Sequence, residues 1–553
     1  MKKTLQIVCL VLAICMLMTA CGSSGAKQEN TPAADAAAPT AAPAPTAAPA
    51  STAAPAAADK SDTPAATTDP APAAQPDKHL NVAIYWNENV DTMNSWGGWW
   101  TMRYGIGETL LTMDADMKLV ECLADSWEVV DEQTFKFHIR QGVKFSNGND
   151  MTPQTVADSI TRIAEGNSRG GNLKLASAEV DGEYVIFRTT EPYSAFPYMI
   201  TEPMCIIEDT TQDMSNYDIY PICTGPYKVI GHVAEEKWEL EANEYYWKGV
   251  PSIKYITNFN IASDTRISAM MSGEIDMAYS PSTSTLALIE GSEDYKVLYA
   301  LGTRESDIAI NCAEGRPTGD VNLRRALCWS VDREVLAQIS GNGTAVALAK
   351  PFPDSVGYDL SGVSAPGYDL AKAAEYLEAA GYTDSDGNGY VDKNGEELLL
   401  HITISSSANT AVYQAMIDMW KAAKIHVELE PLENISDKRK SGEYDIVPAG
   451  WQTMNNGDGQ SYMTNRWTKA GPDNYVSYYS EAFEDVMSRL NAAFDPAERA
   501  KLYAEASQII CDDCPALFYA ATANYDVINA NVLEDITIYP IDYYVLDNTW
   551  TMK

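Results

Sequence analysis

Residues 134–153 read TFKFHIRQGVKFSNGNDMTP. Phe135, Phe137 and Ile139 alternate with Lys136, His138 and Arg140, the period of a strand with one buried face. Gln141-Gly142 turns the chain, Val143 to Phe145 reads as a short partner strand, and Ser146-Asn-Gly148 turns it again. A helix then begins, with Thr152 as cap and Pro153 in the first position. Val156, Ile160 and Ile163 recur at i, i+4 and i+7. One short stretch thus switches from period 2 to period 3.6, and the same alternation continues outward.

Strands are expected over 227–229 and 238–240. Helices are expected over 265–271, closed by Gly273, and over 323–330, 333–339, 369–380, 410–423 and 496–511. Asp495 caps the last of these, with Pro496 in its first turn and Glu498 three residues after the cap. Gly381 ends the 369–380 helix. Helices and short strands mix throughout and no repeat is visible, so the class is α/β.

The N-terminus is of another kind. Lys2 and Lys3 precede an apolar run from Leu5 to Met18, broken by Gln6. About 14 helical residues span roughly 21 Å, short of a ~30 Å hydrocarbon core. This reads as an export signal over residues 1–20; the other reading is a buried N-terminal helix. Thr19-Ala20-Cys21 resembles the lipobox of bacterial lipoproteins, with Met18 departing from its usual leucine. The resemblance implies that Cys21 is acylated and becomes the new N-terminus, a membrane anchor. Residues 21–78 are then a linker. Residues 31–52, TPAADAAAPTAAPAPTAAPAST, have no aromatic or β-branched apolar residue, so an extended, unpacked tether is expected.

The remaining body, 79–553, suits two or three subdomains. Tyrosine (31) and tryptophan (12) outnumber phenylalanine (10), which suits walls packed on one side and meeting a ligand on the other. A net charge of −38 argues against nucleic acid and anionic membrane surfaces as partners. Beyond the signal and anchor, Cys122, Cys205, Cys223, Cys312, Cys328, Cys511 and Cys514 cannot all pair within the chain, because their number is odd. Cys511-Asp-Asp-Cys514 has redox or zinc spacing without a second half-site, and reads as a local disulfide or two thiols at a helix end.

Five stretches together resemble the solute-binding proteins of peptide- and nickel-type ABC importers (family 5). They are Leu123-Ala-Asp-Ser-Trp127 running into residues 135–148; CTGPYKV, 223–229, with Ala242-Asn-Glu-Tyr-Tyr-Trp247; Met271-Ser-Gly-Glu-Ile-Asp276; Asn322-Leu-Arg-Arg-Ala-Leu327 through Ser330-Val-Asp-Arg333; and Asp369 through Ala379-Ala-Gly-Tyr382. The resemblance spans roughly 80–550 and implies a two-lobed, hinged binding-protein fold (type II, with an inserted subdomain). Lobe I is expected at 79–118, 222–303 and 526–553, the inserted subdomain at 119–221, and lobe II at 304–525. It implies a monomer without cofactor, held by its lipid on the outer face of the cytoplasmic membrane of a Gram-positive-type cell. Such a protein passes a peptide or similar small solute to the transmembrane subunits of an ABC permease.

On that reading Trp96, Trp99, Trp100 and Arg103 line the cleft, and Arg169 falls where nickel-type relatives place an arginine. The alternatives are tryptophans packed between subdomains and a solvated loop arginine. Trp451, Asp458 and Tyr462 lie on the later segment. Asp458 matches the aspartate with which peptide receptors grip an α-amine, although Gly459 replaces the following proline. The bland reading is a turn aspartate, the sharp one a charge-assisted bond worth ~1.5–3 kcal/mol. Asp384, Asp386, Asn388 and Asp392 imitate the start of a calcium loop, but its twelfth position is Gly395.

An enzyme finds little support. There is no P-loop and no HExxH, and the G-x-S-x-G string at 166–170 follows a helix instead of a strand, so Ser168 reads as a loop residue. A lipoprotein hydrolase is the alternative of another class. Among solutes a peptide comes first and a nickel–chelator complex second. Arg103-Tyr-Gly-Ile-Gly-Glu-Thr-Leu110 has a nickel-type look, yet no histidine lies in 427–553 and position 205 is cysteine.

Overall fold

The computed structural model describes residues 77–553 except 342, 343 and 455. The expected export signal and the Cys21 anchor lie outside the described residues, as does nearly all of the linker.

Strand Thr134–Ile139 forms as its alternation requires. Phe135, Phe137 and Ile139 are fully buried, whereas Lys136 and His138 face charged partners, Asp181 and Asp125 with Glu183. It is a central strand of an antiparallel sheet ordered Ala124–Asp131, Thr134–Ile139, Tyr184–Thr189 and Leu175–Asp181. Helix Pro153–Gly166 covers the buried face with Val156, Ile160 and Ile163, and each fully buried apolar side chain there contributes about 1.5–3 kcal/mol. Thr152 caps it in a capping box with Thr155. Val143 to Phe145 forms no partner strand; Lys144 makes a single bridge to Asp150. Both edges of Thr134–Ile139 are already taken by longer neighbours, so nothing is left for it to pair with.

The main sheet is built around two long antiparallel strands, Tyr295–Ile310 and Ala516–Asn529. At one end Ala516–Asn529 pairs with Met277–Tyr279. Beyond it lie His79–Ala83, Tyr255–Phe259, Lys237–Ala242 and Tyr227–Val233. At the other end Tyr295–Ile310 pairs with Ile446–Gln452, from Arg304 opposite Gln452 to Ile310 opposite Ile446. Beyond that lie Leu399–Ser405 and His426–Leu432. The register shifts between Leu301 and Glu305, where the strands pass from one half of the sheet to the other. Such an irregularity twists and bends a strand pair.

The expected helices form where sequence placed them, at Arg266–Met271, Val321–Trp329, Arg333–Gly341, Leu370–Ala379, Ala411–Ala422 and Pro496–Asp513. Asp369 and Asp495 accept the expected backbone bonds. Gly381 takes φ +83°, open to glycine at low cost.

Candidate functional site

Helix Gly97–Arg103 follows the loop after His79–Ala83 and carries Trp99, Trp100 and Arg103 of the expected site, with Trp96 at its N-cap. Its glycine pair has a steric reason. A Cβ on Gly97 would lie 1.9 Å from Asp91 O, and one on Gly98 2.2 Å from Pro203 O. Only bare backbone lets the helix start seat against both segments, and that seating aims the following tryptophans.

Five expected residues meet there. Trp96 and Trp99 pack edge to face at 5.1 Å. The Arg169 guanidinium stacks on Trp96 at 3.8 Å and pairs with Glu202 at 2.7 Å. Trp99 donates Nε1 to the same Glu202 oxygen at 3.2 Å and packs against Tyr543. Arg103 lies among Tyr85, Trp99 and Trp100, 4.9 to 5.6 Å from their ring centres. It donates Nε to Asp542 O at 3.0 Å and Nη2 to Asp542 Oδ2 at 3.1 Å. Two buried polar atoms beside Arg103 have no hydrogen-bond partner among the described residues, the Trp100 Nε1 donor and the Asp542 Oδ1 acceptor. An unpaired buried polar group is costly, and a ligand that supplies the missing partner recovers that cost.

A second group surrounds Arg466. Trp451 lies opposite Glu305 in the sheet. The Arg466 guanidinium sits 5.4 Å from the Trp451 ring and 4.3 Å from Trp467. It donates to Glu305 at 2.7 Å and pairs also with Asp307, both carboxylates being fully buried. Tyr462 donates to Glu305 at 3.5 Å. Two carboxylates share one guanidinium. Burial and then Asp307 push the Glu305 carboxyl well up, and burial pushes Asp307 up against the pull of Arg466. Glu305 Oε2 and Asp307 Oδ1 have no hydrogen-bond partner among the described residues.

Asp458 belongs to a third group. It accepts from Arg499 Nη2 and Tyr503 OH, each at 2.7 Å, from Gln460 N at 2.9 Å and from Tyr358 OH at 3.5 Å. Both its oxygens are occupied by the protein's own donors. Its loop nevertheless closes on the first half of the molecule. Thr201 Oγ1 donates to Asn456 O at 3.1 Å, next to Glu202, and Gly457 lies against Met113 with φ +77°. Ser194 donates Oγ to Leu490 O at 2.9 Å and accepts from Arg499 at 2.5 Å. The aromatic wall and the Asp458 loop are thus neighbours through Thr201 and Glu202.

The Asp384 loop is a turn stitched by its own groups. Asp392 accepts from Ser385 N and Oγ at 2.8 Å, Asp384 pairs with Lys424 at 2.9 Å, Asn388 donates to Glu397, and Asp386 accepts from Asn388 N. Among the described residues, no three His, Cys, Asp or Glu side chains group as a metal cage. Ser168 lies in the turn after helix Pro153–Gly166.

Sequence reading missed Glu202, Asp542, Tyr543, Arg466 and Arg499, because no local pattern marks them. It also left unexplained why GET, CTG and YYW occur together. Glu108, buried, accepts from Thr224 Oγ1 at 3.1 Å, Tyr246 OH at 2.9 Å, Trp247 Nε1 at 2.8 Å and Lys248 Nζ at 3.2 Å. The three motifs are one knot around one carboxylate, beside a cavity of about 260 Å³.

Residues 118–474 match the family model described as bacterial extracellular solute-binding proteins, family 5 Middle. The nickel-binding protein NikA of Staphylococcus aureus is 23% identical over 456 residues, covering 82% of this chain and 90% of that protein. The glutathione-binding protein GsiB of Escherichia coli O6:K15:H31 is 23% identical over 458 residues, covering 79% and 88%. The crystal structure of a nickel ABC transporter from Bacillus halodurans superposes with a TM-score of 0.74 at 24% identity, covering 86% of this chain and 99% of that one. The fold is the two-lobed α/β fold of these binding proteins.

Proposed function

Because the chain belongs to the bacterial extracellular solute-binding proteins of family 5, we propose that it captures a small peptide between its lobes and delivers it unaltered to an ABC import permease. The observation that carries this reading is the wall of helix Gly97–Arg103, where the unpartnered Trp100 Nε1 and Asp542 Oδ1 flank Arg103. A peptide main chain offers a carbonyl or carboxylate to the first and an ammonium or amide N–H to the second. Its side chains pack on Trp96, Trp99 and Trp100. Affinity then comes from aromatic burial and a few placed hydrogen bonds.

The charges favour the same solute class. Arg103 has Asp542 and Arg169 has Glu202, while Glu305 and Asp307 together outnumber Arg466. None of these arginines awaits an anionic solute, and a neutral or amine-bearing one suits the wall. Trp451 and Tyr462 are assigned to the facing wall. Asp458 is assigned to shaping the closing loop, since its oxygens already serve Arg499, Tyr503 and Gln460.

We divide the body into lobe I, 79–118, 222–303 and 526–553, with an inserted subdomain at 119–221, and lobe II, 304–525. The change of sheet partner along the two long strands supports this division. Lobe closure about those strands is the event the permease reads. In the same reading residues 1–20 are an export signal and Cys21 carries the lipid. Residues 21–78 hold a monomeric receptor off the outer face of a Gram-positive-type membrane.

The nickel–chelator reading rests on the likeness to NikA. Against it, each histidine is engaged by another side chain, His138 with Asp125 and Glu183, His232 with Glu88, His426 with Glu397 and Glu428, His401 with Asp445 and His79 with Thr257. Native mass spectrometry of the purified chain, followed by calorimetry with di- and tripeptides and with nickel–histidine, decides. Peptide co-purification and peptide binding support the proposal. Binding of the nickel complex alone, or a peptide returned hydrolysed, overturns it.

A further inference from the structure

The last turn of helix Glu481–Ala492 leaves carbonyls for donors from outside the helix. A residue of the inserted subdomain takes two of them. Ser194, buried in the turn before helix Phe196–Met199, donates N to Asn491 O at 3.3 Å and Oγ to Leu490 O at 2.9 Å. Its Oγ accepts from Arg499 Nη1 at 2.5 Å. Thr201 Oγ1 donates to Asn456 O at 3.1 Å, and Asn456 Nδ2 donates to Met199 Sδ. Phe494 lies against Phe135 with ring centres 6.3 Å apart. Beside them Gly457 takes φ +77°, and a Cβ there would lie 2.3 Å from Met113 Sδ. A glycine meets both demands without strain. Residues 194–201 thus seat on a loop and a helix end of the second half.

The charged groups at this seam keep their partners on one side of it. Arg499 donates Nη2 to Asp458 Oδ2 at 2.7 Å, Gln460 Oε1 at 3.0 Å and Tyr503 OH at 3.1 Å, and Nη1 to Leu490 O and Ala493 O. Thr201 Oγ1 also donates to Tyr198 O at 2.8 Å on its own side. Parting the seam therefore strands no charge. The groups it uncovers, Ser194 and the carbonyls of Leu490, Asn491 and Asn456, are neutral and accept water in exchange. An ion pair divided between the two sides would resist separation far more strongly.

We propose that this seam is a latch, by which the inserted subdomain clasps lobe II through the protein's own groups whatever solute is held. The proposal rests on the lobe division given above. Because no solute atom takes part, the latch favours the closed form equally for every solute. Affinity for each then scales with the fraction of the chain that is closed, and selectivity is left to the wall.

The test compares the full chain with Ser194→Trp, which sets an indole against the helix end. Small-angle scattering is read without peptide, and calorimetry is run with two unlike tripeptides. Expected are a larger radius of gyration in the variant and affinities for both peptides lowered by one common factor, about tenfold or more. Identical scattering curves, or a loss confined to one peptide, overturn the latch. If Ser194→Trp does not fold, hydrogen exchange of the wild type decides. The Ser194 amide is expected to exchange far faster than the amides of strand Thr134–Ile139, and equal protection overturns the proposal. If neither protein binds a peptide, the function proposed above falls, while scattering and exchange of the peptide-free chain still decide the latch.

Discussion

Arg499 and Asp458 form a buried ion pair, Nη2 to Oδ2 2.7 Å, with side chains 4% and 3% exposed. Burial works against the Arg499 charge, yet Asp458 and Tyr503 hold the guanidinium above its ordinary range. Removing one partner of such a pair strands the other in a poorly solvating place. Asp458→Ala is expected to lose about 3–5 kcal/mol of stability in urea unfolding. The sequence alone suggests another outcome, weaker peptide binding through loss of a charge-assisted bond. A variant that melts like wild type and binds peptide at least tenfold more weakly would return Asp458 to the ligand.

Trp100→Phe keeps an aromatic ring and removes an N–H that has no partner among the described residues. Stability is therefore expected to stay within about 0.5 kcal/mol. Peptide affinity should fall roughly tenfold, the worth of a hydrogen bond to a charged or strongly polar group. Calorimetry with one tripeptide on both proteins reads this directly, and equal affinities would remove Trp100 from the contact set.

Arg466→Met leaves Glu305 and Asp307 buried without their cation. An expected loss of about 3–5 kcal/mol at pH 8 follows. Because burial already pushes both carboxyls up, they take protons more readily in the folded state. Lowering the pH neutralises them, and the melting gap from wild type should narrow toward pH 5. A gap independent of pH would mean that packing, not charge, is what the arginine supplies.

Asp526 lies buried in strand Ala516–Asn529, accepting from Ser280 N at 3.2 Å near Arg266. Burial pushes its carboxyl up to about 7. An acid raised in the folded state binds more protons folded than unfolded between its unfolded value near 4 and that raised value. Its contribution is favourable at low pH and is lost as pH rises through about 7, at a cost of up to about 4 kcal/mol. Asp526→Asn should therefore melt higher than wild type at pH 8 and close to it at pH 4. Parallel melting curves across this range would show that Asp526 does not titrate there.

Local elements were legible because their causes are local. The Phe135, Phe137, Ile139 alternation, the Thr152 and Asp495 caps and the Gly381 stop act over a few residues, through backbone hydrogen bonds and side-chain periodicity. The tryptophans beside two glycines were visible too, since Gly97 and Gly98 answer to backbone contact. Partnership was not legible. Arg103 meets Asp542 across 439 residues and Arg169 meets Glu202 from another segment, while Asp458 finds Arg499 on a helix 41 residues on. Val143 to Phe145 had strand character and lost its place to longer neighbours. By itself the sequence determined which segments become strands and helices and which faces they bury. The tertiary structure alone decided which charges are neutralised and which buried polar atoms are left without a partner among the described residues, because Coulomb pairing and desolvation depend on distance in space, set by the strand order.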